Sequence, residues 1–217
     1  MTRLSASPLS DPESPPPTLS EVFATSTLDA AAMGFVCAQL AAIARDPRPV
    51  LWVQDRTSRR EAGRPCLAGL PRGLTLIYVR ANRPADVLWT MEEALYSHGV
   101  SAVLGEIWGD PPALDFTATK RLALRAEARA MPALLVRRAA HPNLSAARLR
   151  WRVSSLPALS DPYDARAPGE PQWQAELFRA RGRAPGTWVA RPGPAGAILE
   201  HPVAAGVPRV AARPAEA

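Results

Sequence analysis

Four short apolar runs constrain this chain more than any other feature. They are Val50-Leu51-Trp52-Val53, residues 74–79, Ala102-Val103-Leu104 and residues 133–136. Successive positions are apolar, so each run has two faces to bury, and such strands belong inside a parallel sheet covered by helices. Segments with helical spacing separate the runs. Met33, Val36, Leu40 and Ile43 recur on one face of a helix. That helix is expected to begin near Ser26 or Thr27, with Ser26 and Asp29 at capping-box spacing, and to stop before Asp46-Pro47. Leu88, Met91 and Leu95 mark a second helix, with Pro84 at its first position and Gly99 at its end. A third is expected over 117–131. The alternation predicts an α/β fold, a mostly parallel sheet flanked by helices.

Beyond residue 145 the period changes to two. Arg148-Leu149-Arg150-Trp151-Arg152-Val153 alternates, and so does 172–178. A Gly-bounded turn over 182–186 then leads to Thr187-Trp188-Val189. This predicts a hairpin with a long turn, and antiparallel strands at the sheet edge. Residues 1–17 hold five prolines and few apolar groups, so they are expected to be a disordered Pro-rich tail. A single domain is expected over 18–200, with a core at about 18–145 and a β-rich extension at about 146–200, followed by a flexible tail over 201–217. The longest uncharged apolar run, 30–44, is shorter than the ~20 residues needed to span a bilayer. A cytoplasmic protein without a membrane segment is expected by elimination.

The formal net charge is +6, and every one of the 26 basic residues except Lys120 is arginine. Arginine offers a planar fork to carboxylates and phosphates. The same balance also follows from composition alone, because charge speaks to association and not to fold. The two cysteines have no metal-ligand neighbours: Cys37 lies in an apolar helical run and Cys66 in a Gly/Pro-rich connection.

A phosphate-binding loop needs glycines whose amides cradle phosphate and a lysine that reaches it. Its place would be the segment before the first helix, Glu21-Val22-Phe23-Ala24-Thr25-Ser26-Thr27, which has neither. Nucleotide hydrolysis of that type is not expected, and no cofactor is implied. Glu106 ends a buried run where an α/β ATPase keeps a metal-binding carboxylate; the plainer reading is a cap or salt-bridge partner. Asp55 and Asp110 sit at comparable ends. A nuclease built on Asp55, Glu106 and Lys120 is a competing reading that lacks the short acid-x-Lys pairing. His98, His141 and His201 show no metal spacing.

Two arginine groups remain as candidate partner-binding sites. Arg121, Arg125 and Arg129 lie on one helical face, and no acid lies three or four positions from Arg121 or Arg125 to offset them. They form either a solvated face or a docking surface for acidic groups, and reversing them to Glu is expected to leave the fold intact. Arg179, Arg181 and Arg183 fall in a stretch that also holds Trp151, Trp173 and Trp188. Arginine with tryptophan enriches binding hot spots and also suits single-stranded DNA. The alternative has the tryptophans facing inward and the arginines in water.

Several segments together resemble the ImuA family. They are Leu19-Ser20-Glu21-Val22-Phe23, Val50-Leu51-Trp52-Val53-Gln54-Asp55-Arg56, Leu88-Trp89-Thr90-Met91-Glu92-Glu93-Ala94-Leu95 and Leu114-Asp115-Phe116-Thr117-Ala118-Thr119-Lys120-Arg121-Leu122-Ala123-Leu124. Leu149-Arg150-Trp151-Arg152-Val153, Trp173-Gln174-Ala175-Glu176-Leu177 and Gly186-Thr187-Trp188 complete the set. They run in order from about 19 to 190. The resemblance implies a degenerate RecA-like core, related to that of the division inhibitor SulA, and induction by DNA damage. It implies a non-catalytic accessory role in the mutasome. The partners it implies are ImuB, an inactive Y-family polymerase relative, an error-prone replicative-type polymerase and RecA. It brings no catalytic residues. Lys120 departs from it, standing where a second arginine beside Arg121 is expected. A nuclease or nucleotide-dependent repair enzyme, and a single-stranded DNA-binding module, are the competing functions.

Overall fold

The computed structural model describes residues 18–164 and 166–201. The tail read as 1–17, and all but His201 of the tail read as 201–217, lie outside these residues. In chain order the elements are β1 (Leu19–Ala24), α1 (Ala31–Leu40), β2 (Val50–Gln54), α2 (Arg56–Ala62), β3 (Leu76–Arg80), α3 (Pro84–Tyr96) and β4 (Ala102–Trp108). Then come α4 (Phe116–Arg129), β5 (Ala133–Arg138), β6 (Leu149–Leu156), β7 (Gln172–Ala180), β8 (Gly186–Arg191) and β9 (Ile198–Glu200).

All nine strands form one sheet in the order β3-β2-β4-β5-β1-β6-β7-β8-β9. From β3 to β6 neighbours are parallel, and from β6 to β9 they are antiparallel. The α/β class and its antiparallel C-terminal strands are as the sequence predicts. Two features are not. Residues 19–24, read as the approach to the first helix, form β1, which pairs with β5 on one side and β6 on the other. The stretch 149–156, read with the antiparallel edge strands, runs parallel to β1 and lies inside the sheet. A strand needs only extended residues that fill both of its neighbours, and here both neighbours come from far along the chain.

The pleat divides the core between two faces. On one, Val22, Trp52, Leu104, Val136, Trp151, Trp173 and Trp188 pack against Phe35, Val36 and Leu40 of α1. On the other, Leu19, Val53, Val103, Ile107 and Leu135 pack against Val87, Met91 and Leu95 of α3 and Leu122 and Ala126 of α4. At Gly105 an added Cβ would overlap Met91 Sδ, so a larger residue there would displace the Met91 side chain of α3 from β4.

Local chemistry sets the helix ends. At the start of α3, beside Pro84, Asp86 Oδ2 accepts from the Arg83 backbone amide at 3.3 Å, one half of a capping box. Asp115 caps α4 by accepting from Ala118 N at 2.7 Å. Asp55 caps α2, a helix that the Gly/Pro-rich reading of this stretch missed. Helix α1 begins at Ala31, five residues after Ser26, because Ser26–Asp29 forms a turn instead: the Asp29 amide donates to the Ser26 carbonyl at 3.1 Å.

Candidate interaction surfaces and the loop before the first helix

The β1–α1 loop is where a sheet of this design would hold phosphate, on the free amides of the helix N-terminus. Here Asp29 fills that position with the chain's own carboxylate. Asp29 Oδ1 accepts from the Ala31 amide at 2.8 Å and from Ser155 Oγ at 2.6 Å, while Oδ2 accepts from the Ser155 amide at 2.9 Å. One side chain thus supplies the negative charge that the end of α1 attracts and ties the loop to the end of β6.

Glu106 lies within β4 and is 1% exposed. Its Oε1 accepts from Trp52 Nε1 at 2.6 Å and Gln54 Nε2 at 2.8 Å. Tyr78 holds Gln54 in place by donating to its Oε1 at 2.7 Å. Glu106 Oε2 faces Arg138 Nε at 3.6 Å. Burial pushes the Glu106 carboxyl above the usual range, against the pull of Arg138 and the two donors. Beside it, burial and then the Glu106 charge push the Cys37 thiol up to about 12. The structure therefore assigns Glu106 a salt-bridge partner. It also separates the residues of the nuclease reading. Glu106 faces the α1 side, Lys120 is exposed on α4 across the sheet, and Asp55 is committed to the Ser58 and Trp108 amides.

The stripe on α4 has partners the local sequence does not reveal. Arg121 Nε and Arg125 Nη1 donate to the two oxygens of Glu92 on α3, at 2.9 and 2.7 Å. Arg125 also lies over the Tyr96 ring, 4.2 Å from its centroid. Arg129 donates to the Tyr96 carbonyl at 2.8 Å and meets His98. These three residues fasten α4 to α3, with the Arg121 side chain still 51% exposed. The same helices expose Trp89, Tyr96 and Leu124.

The second group divides. Trp151, Trp173 and Trp188 are buried, so they are core residues. Arg148, Arg150, Arg152 and Arg191 pair with Glu127, Glu21, Glu176, and Glu170 and Glu200. Arg179 and Arg181 are exposed, and neither they nor Arg183 form an ion pair among the described residues. Arg183 lies over Trp188, 5.7 Å from the ring centroid.

Sequence reasoning missed one further cluster. Glu21, fully buried in β1, accepts from Arg150 Nε at 2.7 Å and meets Arg137 at 3.4 Å. Arg137 continues to Asp110 at 2.6 Å, and Asp110 to the ring of His141. Phe23 and Phe178 flank the guanidinium of Arg150. The alternation of Leu19, Glu21 and Phe23 was the available signal, once 19–24 is read as a strand.

Fold and site together define an α/β protein with a mostly parallel sheet, antiparallel C-terminal strands and a carboxylate where phosphate would sit. No family model matches the sequence. Over 157 residues, 68% of this chain, it is 35% identical to protein ImuA of Caulobacter vibrioides strain NA1000 / CB15N, and equally to that of strain ATCC 19089 / CIP 103742 / CB 15. The chain is homologous to ImuA over that span, and it covers 62% of the length of these relatives. Among the described residues no helix is long and apolar enough to cross a membrane.

Proposed function

We propose that this protein is a non-catalytic accessory factor of a damage-induced mutasome, supporting error-prone translesion synthesis through protein contacts. Its partners in this reading are an ImuB-type relative of the Y-family polymerases, an error-prone replicative-type polymerase and RecA. The observation that carries it is the homology to ImuA, whose resemblance implies those partners. The filled N-terminus of α1 supports it physically, because Asp29 would oppose a bound phosphate at the one place where a RecA-like core needs it.

Within this reading Arg179, Arg181 and Arg183 are the first choice for the ImuB contact. Arg179 lies near the end of β7 and Arg181 and Arg183 in the turn to β8, and no acid among the described residues pairs with them. Arg121, Arg125 and Arg129 are the second choice, since much of their charge is already answered by Glu92. The test is co-precipitation of the purified protein with each partner, repeated with Arg179, Arg181 and Arg183 changed together to Ala. Retention of wild-type ImuB and its loss in the triple variant is the expected result. Failure to retain any of the three partners overturns the adaptor reading. Direct DNA contact would show as binding that weakens steeply with salt, as phosphate contacts release counterions.

A further inference from the structure

Between β2 and β3 the chain forms only the seven residues of α2 and a 3-10 turn, Leu67–Gly69. That is too little to cover the sheet on the α1 side, and a cleft of about 810 Å³ is left there. Volumes of this order hold small ligands, fixed by a few convergent polar groups. The floor has such groups. Glu106 and Arg138 both line the cleft, and Glu106 Oε2 and Arg138 Nε are buried there without a hydrogen-bond partner. Their residues are 1% and 6% exposed, and the 3.6 Å between the two atoms is too long for a hydrogen bond. An acceptor and a donor thus stand side by side beneath the cleft, joined by a long salt bridge but by no hydrogen bond. Buried polar groups are normally satisfied, so such a pair calls for an occupant.

The walls narrow the class. Glu106 is the one acidic residue among those lining the cleft, whereas Arg45, Arg64 and Arg72 stand at its mouth, all exposed. The occupant has an N–H beside a hydrogen-bond acceptor at its deep end and negative charge at its outer end. We propose that the cleft is a binding site for a nucleotide, the base edge meeting Glu106 and Arg138 and the phosphate meeting the arginines at the mouth. A free nucleotide and a unit of a single strand present the same chemistry to this site. The cleft reaches the start of α1 at Ala30 and Met33, where Asp29 takes the Ala31 amide. Since recognition is of base and one phosphate, added phosphates and magnesium contribute nothing. The proposal does not rest on the accessory role, because partner binding is measured separately.

Cys66 provides a readout, as it is exposed and lines the same cleft. Alkylation of Cys66 in the full chain is followed with each deoxynucleoside monophosphate, a short single-stranded oligodeoxynucleotide, inorganic phosphate and magnesium ATP. Calorimetry gives the affinities. Protection of Cys66 by monophosphates is expected; protection by the oligonucleotide alone supports the same site with a strand as its source. Glu106→Gln keeps the shape but turns an amide donor toward the base, and is expected to weaken binding about tenfold, as loss of a charged hydrogen bond does. Changing Arg64 and Arg72 to Ala, both on the surface, is expected to weaken it comparably without altering the fold. Protection by inorganic phosphate as strong as by nucleotide overturns the proposal. So do affinity that climbs with magnesium and the γ-phosphate, binding unchanged in both variants, or no binding at millimolar concentration.

Discussion

Replacing Glu92 by Ala separates a structural from a recognition role for the arginines of α4. Glu92 is 8% exposed and accepts two charge-assisted hydrogen bonds, one on each oxygen. A bond of this kind is worth about 1.5–3 kcal/mol when shielded from water. Arg125 is 24% exposed and keeps most of that, whereas Arg121, at 51%, falls toward the surface-pair range of about 0.2–1 kcal/mol. Without the carboxylate, Arg121 and Arg125 face each other across one helical turn, at a further cost of a few tenths of a kcal/mol. The expected loss is about 2–3 kcal/mol, which at a urea dependence of about 2 kcal/mol per molar lowers the unfolding midpoint by about 1 M. Urea unfolding followed by tryptophan fluorescence measures it, with Glu92→Gln expected in between. A loss below about 0.5 kcal/mol would refute the reasoning, because that is the scale of an ordinary surface change. The same geometry revises the expectation that Arg121, Arg125 and Arg129 can be reversed to Glu without harm. Reversal would bring two acids against Glu92, remove the Arg129 bond to the Tyr96 carbonyl, and pull α4 from α3.

Glu21→Ala is expected to cost about 3–5 kcal/mol in the same assay, since it leaves Arg150 buried without its acid, and a change under about 1 kcal/mol would count against the buried network. The two thiols are expected to differ in alkylation rate. Cys66 should react fast near pH 8, whereas Cys37, with its thiol pushed up to about 12, should stay slow until the pH nears that value; equal rates at pH 8 would contradict its burial. Deleting 202–217 is expected to leave the unfolding free energy within about 0.5 kcal/mol of wild type, because the segment is short of large apolar side chains; a larger loss would show that it contributes to the fold.

The elements that could be read from sequence are those whose cause is local. Pro84 starts α3, an apolar run makes β4, and a glycine-bounded turn joins β7 to β8. Those that could not depend on distant residues. Glu21 interrupts the apolar pattern of 19–24, and nothing nearby indicates that Arg150 will answer its charge. The same holds for the arginines of α4, whose acid is 29 and 33 residues away on another helix. The tryptophans were legible as inward residues of alternating strands, and Trp151, Trp173 and Trp188 are in the core. The role of Glu106 as a salt-bridge partner was legible, but not the cleft above it. That cleft comes from the brevity of α2, and sequence alone does not reveal that a layer is too short until the sheet beneath it is known.

The placement of β1 also has a consequence for synthesis. Glu21 precedes its partners Arg137 and Arg150 by 116 and 129 residues. At translation rates of about 5–20 residues per second, the strand waits roughly 6–25 s after leaving the ribosome before either neighbour exists. Throughout that interval it offers two unpaired edges, with the apolar residues Leu19, Val22 and Phe23 beside them. The charge of Glu21, costly in the finished sheet, sits in the middle of the waiting segment, where a charge discourages pairing with other chains. The carboxylate that later binds two arginines thus first acts as a guard against aggregation.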